Sequence, residues 1–220
     1  MTRLFSKKYI PWAVSFLTIV SISHPANALL TRTQQDVYTH CANSVVSGLT
    51  IRAEDGDPNA LFEHGLLLFY GHCVEENRSA GLLRLKSAAS KGHIEAAFSL
   101  GDIYADKSLH GLHDPNKAYH YLLYAAKNDH LSAKHILGII LVRGDIGKDQ
   151  QHRGLYWLGV AASEGHGLSA IIMGHLHEHG KYGIKQDPCL ARDWYELCLN
   201  LGVQEAINFI HTIDAEHNCN

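Results

Sequence analysis

Long apolar segments, proline-rich linkers and an excess of basic charge are all missing from this 220-residue sequence. The apolar run at residues 12–22 has 11 residues, well short of the roughly 20 that a transmembrane helix requires. With 19 basic and 22 acidic residues, the chain offers no broad attraction to nucleic acid or to an anionic membrane surface. Its five prolines form no linker, so one mostly helical domain is expected.

Signatures of catalysis are missing as well. The chain has neither a phosphate-binding glycine loop nor the G-x-S-x-G turn of serine hydrolases. Adjacent acidic residues such as Glu75 and Glu76 fall in predicted loops and are interpreted as solvated side chains. No cofactor is expected, and these absences favour a binding protein over an enzyme.

The first 28 residues differ in kind from the rest. Arg3, Lys7 and Lys8 precede the apolar run, and the small residues that follow it end at Ala28. This order is typical of a secretory signal peptide. We therefore expect residues 1–28 to be removed by cleavage after Ala28 and the protein to be exported, either to the periplasm or to the exterior. No cysteine directly follows Ala28, so lipid attachment there is not expected.

Most of the remaining chain is a repeat. The stretch GHIEAAFSLGDIY, which starts at Gly92, returns in related form with a period of 36 or 37 residues. Such a period indicates stacked helical hairpins. The repeated anchor positions are Gly56, Gly92, Asp129, Gly165 and Gly202. A second glycine lies nine residues after each of the first four anchors, at Gly65, Gly101, Gly138 and Gly174.

Each unit is predicted to be a helix, a loop and a second helix. Small residues recur in both helices and allow close packing, and the anchors fall at the turns between hairpins, where glycine tolerates a positive φ. Asp114 and Asp187 each precede a proline and are expected to cap a second helix. Asn77 and Asp149 are assigned the same role in the other two units.

The order of the residue types that recur within the unit resembles that of a known family. An alanine, Leu-Gly, a tyrosine, a glycine loop, an Ala-x-x-Trp-Tyr helix and Ala-Ala-x-x-Gly-His make the chain similar to Sel-one-like repeat proteins, relatives of tetratricopeptide repeats. The resemblance implies an all-α protein, a right-handed α/α solenoid of about four hairpins. We assign residues 56–201 to the repeats, 29–55 to an N-terminal capping helix, placed at 33–53, and 202–220 to a C-terminal capping helix, placed at 204–213, and a tail, because solenoid ends need caps.

Five cysteines in an exported chain leave one without a partner. The register of the hairpins places Cys41 beside Cys73 and Cys189 beside Cys219, so these two disulfides are predicted and Cys198 is expected to be a buried free thiol. A bond between Cys198 and Cys219 is the alternative, because disulfides depend on loop geometry.

Three histidines alternate in GHLHEHG, residues 174–180. On a helix His175 and His179 share a face, whereas His177 points away. Two histidines fall short of the three or four protein ligands of a zinc site, so no metal is expected and these side chains are interpreted as surface and groove residues. The histidines at the anchor turns are interpreted as turn and packing residues: His93, His130 and His166.

In solenoids of the kind that this chain resembles, the first helices line a concave groove that binds partners. Positions not needed for hairpin packing form rows across these helices, and aromatic anchors near charges are typical of a binding surface. The predicted groove residues form three rows. The first row is Phe62, Phe98 and His135, the second is Leu66, Asp102, Ile139 and His175, and the third is Tyr70, Asp106, Arg143 and His179. A shift of one residue in register would instead place Phe62 and Phe98 in the core.

The leading hypothesis is an exported, non-enzymatic adaptor that binds another protein or peptide through this groove. The alternative is a small-ligand binder or weak hydrolase of the cell envelope, because some cysteine-rich secreted proteins of the family it resembles bind or slowly hydrolyse β-lactams. A third hypothesis is sensing of metal or pH by the groove histidines, several of which can gain charge between about pH 7 and 5.5.

Overall fold

Pairs of antiparallel helices follow one another through most of the chain. The structure is a computed structural model that describes residues 43–219, and these residues contain ten α-helices and no strand. The predicted signal peptide and residues 29–42 lie outside this range. The helices are α1 Asn43–Glu54, α2 Pro58–Tyr70, α3 Arg78–Ser90, α4 Ile94–Ala105, α5 Pro115–Lys127, α6 Leu131–Val142, α7 Gln151–Ser163, α8 Gly167–His179, α9 Pro188–Asn200 and α10 Ala206–Glu216.

The chain divides into Met1–Val46 and Ser47–Asn220, and the packing described here belongs to the second unit. That unit is an α/α solenoid, as expected from the repeat. The hairpins are α2–α3, α4–α5, α6–α7 and α8–α9, and the second helix of each packs on the first helix of the next. Helix α10 packs on α9 at the C-terminal end. Within residues 43–219, no helix is long and apolar enough to cross a bilayer.

Glycine permits the close approach of the two helices in a hairpin. A Cβ atom added to Gly138 would lie 2.6 Å from Leu158 Cγ and 3.0 Å from the carbonyl oxygen of Gly154. A Cβ atom added to Gly154 would lie 2.6 Å from the backbone nitrogen of Val142. The backbones of α6 and α7 are therefore in direct contact, as the recurrence of small residues predicts.

All five anchor residues adopt a positive φ, which confirms their predicted role at the turns. Four are glycines, and the fifth is Asp129, with a φ of 62°. Aspartate tolerates this conformation better than most residues. The Asp129 carboxylate also accepts a hydrogen bond of 3.0 Å from the buried Lys134 ammonium, which Glu164 binds as well at 2.7 Å.

Three of the four predicted caps of the second helices are present. Asn77, Asp114 and Asp187 each accept a hydrogen bond from the backbone N–H three residues further on. The prediction for Asp149 was wrong. A short 3₁₀ turn, Lys148–Gln150, moves the cap position of α7 to Gln150, whose side chain makes no capping bond.

One disulfide closes the C-terminal end of the solenoid. Cys189 and Cys219 are bonded, with their Cα atoms 5.2 Å apart. Cys198 is a buried free thiol, so the alternative bond between Cys198 and Cys219 is not formed. Cys73 is also disulfide-bonded, but its predicted partner Cys41 lies outside the described residues, and that pairing stays a prediction.

Candidate functional site

The first row of the predicted groove lies between repeats instead of on an open surface. Phe62 and Phe98 are only 5% and 4% exposed. Phe62 stacks on His93 with 4.6 Å between ring centroids, and Phe98 stacks on His130 at 4.1 Å. Each pair joins the first helix of one repeat to the start of the first helix in the next. The assignment of both phenylalanines to a binding surface is therefore corrected, because their rings are buried in the packing between repeats.

His135 continues this row in the third repeat and has a similar role. Its ring stacks on His166 with 4.1 Å between centroids. Its Nδ1 lies 2.8 Å from the hydroxyl of Ser169, which also lies 3.1 Å from Nδ1 of His166. The half-buried His135 thus belongs to the joint between the third and fourth repeats.

The anchor histidines cap helices, which confirms their interpretation as turn and packing residues. Nδ1 of His93 and Nδ1 of His130 each accept a backbone N–H three residues further on, at 3.1 Å, and His166 does the same at 3.3 Å. Because Nδ1 is the acceptor, Nε2 carries the hydrogen. It donates to the preceding repeat, from His93 to Asn59 and from His130 to Glu95, at 3.1 Å in both cases.

The second row is mostly covered. Leu66 is buried, and its assignment to the groove is corrected because its side chain lies in the packed interior. Asp102 and Ile139 are half-buried. His175 is buried, and its assignment to the groove is corrected as well, because its ring packs edge to face on those of Tyr195 of α9 and Phe209 of α10. This row offers a partner only parts of Asp102 and Ile139.

The third row is the most exposed of the three, although two of its four side chains are half-buried. Tyr70 is 37% exposed, Asp106 is exposed, and Arg143 and His179 are half-buried. Partial burial and the negative charges of Asp102 and Asp106 together raise the pKa of Tyr70 to about 12. The charges of these two carboxylates thus act on the Tyr70 hydroxyl, and we call Tyr70, Asp102 and Asp106 the acidic patch.

A second group of polar side chains lies on α8. His175, Glu178 and His179 each offer a potential metal ligand atom, and these atoms lie within 4.8 Å of one another. Nδ1 of His175 is 3.4 Å and Nδ1 of His179 is 3.7 Å from Glu178 Oε2. A spacing of three and four residues places all three on one face of the helix. A count of histidines alone gives two ligands, and Glu178 raises that count to three.

Tyr195 of α9 contacts Glu178 and His175 through its hydroxyl, from the buried side of α8. Its hydroxyl donates to Glu178 Oε2 at 2.6 Å and lies 2.8 Å from His175 Nδ1. Burial alone would raise the pKa of Glu178, but the hydrogen bonds from His175 and Tyr195 and the nearby histidine charges lower it. Glu178 is therefore ionised at neutral pH. Tyr195 fits because Gly174 has no side chain, since a Cβ there would lie 2.4 Å from Tyr195 Cε1.

The sequence contains a signal for this group that a search for single motifs misses. Tyr195 stands where the three earlier repeats have a leucine four residues after the small residue of the second helix: Leu85, Leu122 and Leu158. A hydroxyl at that position needs a hydrogen-bond partner once it is buried. Comparison of the repeats with one another therefore points to α8 as the helix that supplies it.

Stacked helical hairpins with a period of 36 or 37 residues form an α/α solenoid of the class related to tetratricopeptide arrays. The sequence pattern of the Sel1 repeat matches residues 58–93, 94–130, 131–166 and 168–203. The chain therefore belongs to the Sel1 repeat family. Repeats of this family generally mediate interactions between proteins.

Two solved structures share the fold. One is a protective antigen present in uropathogenic Escherichia coli strains and displays an SLR fold. It is 21% identical with a TM-score of 0.68, and the match covers 77% of this chain and 36% of that one. The other is a Sel1 repeat protein from Oxalobacter formigenes, 20% identical with a TM-score of 0.63, over 76% of this chain and 65% of that one. The chain thus spans less than two thirds of either protein, and the likeness shows the fold alone. Among curated proteins, none matches this chain significantly.

Proposed function

We propose that this protein is an exported adaptor without catalytic activity, which binds another protein or peptide through the face formed by its first helices. The acidic patch carries the proposal. Tyr70 keeps 37% of its surface exposed, and the negative charges of Asp102 and Asp106 act on its hydroxyl. An exposed aromatic ring next to charged side chains is typical of a protein-binding surface, and the general role of Sel1 repeats agrees with it.

The chemistry of the patch indicates a partner with basic side chains. Arginine and lysine can pair with carboxylates and also lie over a tyrosine ring. Tyr70 is the last residue of α2, and Asp106 directly follows α4. The C-terminal ends of these helices add negative potential to that of the carboxylates. A segment of chain with arginine or lysine is therefore the expected occupant.

Export is proposed on two features. The sequence of residues 1–28 has the order of a signal peptide, and a disulfide between Cys189 and Cys219 suits an oxidising compartment. Intact-mass measurement of protein from the periplasm and from the medium tests this part. A chain that begins at Leu29 supports it, and a chain that retains residues 1–28 contradicts it.

Photocrosslinking at defined positions tests partner binding. A photoreactive amino acid in place of Tyr70 should capture a partner in intact cells. The same amino acid in place of Leu83, which is 70% exposed on the second helix of the same hairpin, should not. The captured protein should then bind the purified chain, and Asp102→Asn with Asp106→Asn should weaken that binding at least fivefold. The proposal would be refuted if the photoreactive amino acid in place of Leu83 captured the same protein equally well. It would also be refuted if the two substitutions left the affinity for the partner unchanged.

A further inference from the structure

Three positions in the fourth hairpin hold polar side chains where most earlier repeats hold apolar ones. Burying a polar group costs free energy that an apolar group does not, so such a change is expected where a repeat has acquired a special role. The replacements are His175 for Leu66 or Ile139, Glu178 for Phe69 or Val142, and Tyr195 for Leu85, Leu122 or Leu158. All three changes meet in one place.

The donors fit a transition metal. Two imidazole nitrogens and one carboxylate oxygen form a ligand set that zinc accepts in sites with three protein ligands. At bond lengths of about 2.0–2.2 Å, a tetrahedral ion holds its ligand atoms about 3.3–3.6 Å apart. Glu178 Oε2 lies 3.4 Å from His175 Nδ1 and 3.7 Å from His179 Nδ1. All three ligand atoms lie within 4.8 Å of one another. Nδ1 of His179 also lies 3.1 Å from the backbone oxygen of His175, so an ion bound at this nitrogen would take the place of that hydrogen bond.

The surroundings favour binding from one side. The side chains of Glu178 and His179 are 23% and 22% exposed, whereas that of His175 is 10% exposed. Phe209 of α10 covers His175, with 4.8 Å between ring centroids. An ion can therefore reach the three ligands past Glu178 and His179, and water from the same side can complete its coordination.

Tyr195 has the position of a residue that supports a ligand. Carboxylates that bind a metal are commonly held by a further hydrogen bond, and the Tyr195 hydroxyl supplies one to Glu178 Oε2 at 2.6 Å. The same hydroxyl lies 2.8 Å from His175 Nδ1. An ion bound at Nδ1 would take the place of this contact, while the bond from Tyr195 to Glu178 keeps the carboxylate oriented.

We propose that His175, Glu178 and His179 form a binding site for a divalent transition-metal ion such as zinc. The three residues follow one another as H-x-x-E-H, an order also found on the helix of a class of zinc proteins. Here all three act as ligands, and the proposal includes no reaction. It does not depend on the adaptor function, because the acidic patch uses other residues.

Calorimetric titration of the purified protein with zinc chloride tests the proposal, with no affinity tag on the chain. The parent should bind one zinc ion, and Glu178→Gln and His179→Gln should each weaken binding at least tenfold. Cobalt should bind in the same ratio and give the visible absorption of a four-coordinate site. His179 is half-buried near the end of α8, so its replacement should leave the helical circular dichroism unchanged.

His177→Gln is the matched control, since His177 lies on the same helix between the proposed ligands but outside the group. It should bind zinc like the parent. The proposal is overturned if the parent binds no zinc, if both glutamine variants in the group bind like the parent, or if His177→Gln loses as much affinity as His179→Gln. The last outcome would indicate binding by dispersed histidines only. Photocrosslinking of a partner at position 70 tests the adaptor proposal separately, so failure of either proposal leaves the other intact.

Discussion

Phe98 stacks on His130 with 4.1 Å between ring centroids, and the same imidazole accepts the backbone N–H of Ala133 through Nδ1. One side chain therefore both packs two repeats together and caps α6. In a solenoid, stability is roughly the sum of the stabilities of single repeats and of the interfaces between them. This histidine contributes to both, and His93 does the same with Phe62.

Replacement of Phe98 by alanine should lower the free energy of unfolding by about 3–5 kcal/mol, as for other buried phenylalanines. Phe98→Leu should cost less, because it keeps most of the apolar volume but loses the stack on His130. Urea denaturation of the purified variants measures both values. If Phe98→Ala were as stable as the parent and only partner binding were reduced, Phe98 would belong to the binding surface and not to the core.

Because of the capping histidines, we expect the free energy of unfolding to decrease in mild acid. Burial is the main cause that lowers the pKa of His93 and of His166. The unfolded chain then binds protons that the folded chain does not, so the free energy of unfolding decreases as the pH falls. The contribution is fully present above the unfolded pKa of about 6.5 and is lost towards the lower folded values. Urea denaturation at several pH values from 7.5 to 5.0 measures the slope.

Asparagine at these two positions provides the matched variant. His93→Asn with His166→Asn keeps a side-chain acceptor at each cap but removes the titrating group. The double variant should show a shallower dependence of stability on pH. Some dependence should remain, because burial also lowers the pKa of His64. A slope equal to that of the parent would show that the capping histidines do not cause it.

Two glycines of the α6–α7 hairpin region should respond to alanine with opposite signs. Gly138→Ala places a Cβ atom 2.6 Å from Leu158 Cγ and should cost about 1–3 kcal/mol or more by overpacking. Gly159→Ala meets only Trp194 Cη2 at 3.9 Å, an ordinary contact, and should stabilise the helix by about 0.5–1 kcal/mol. Equal destabilisation of both variants in urea would contradict the close approach of the two helices.

The fold follows from the sequence because its signals repeat. A positive φ at one glycine is common, but five anchors at one period fix where every hairpin turns, and this holds even at Asp129, where the residue type alone would not predict it. The exception, Asp149, shows the limit of this approach. A 3₁₀ turn of three residues shifts a helix start by one position, and no repeated signal accompanies it.

The candidate sites are harder to predict because they lie where the repeats differ. First helices of a solenoid have neighbours on several sides, so Phe62 and Phe98 could be assigned to a groove or to the joint between repeats from the same pattern. Glu178 lies within the histidine stretch at residues 174–180, but a count of histidines passes over it. Tyr195 belongs to the next helix and to no motif of its own. Their signal is a departure from the leucine or other apolar residue at the same position in earlier repeats.

The disulfide between Cys189 and Cys219 should stabilise the C-terminal hairpin without being required for its fold. It closes a segment of 30 residues, for which loop-closure entropy predicts about 3–4 kcal/mol. Cys219→Ser should lower the free energy of unfolding by this amount in urea, while Arg192 still binds Asp214 across α9 and α10 at 2.5 Å and helps to keep the helices together. Cys198→Ala is the control, since its thiol is outside the bond and the oxidised variant should lose the same energy on reduction as the parent. A peptide map of the non-reduced parent that joins Cys198 to Cys219 would contradict this assignment.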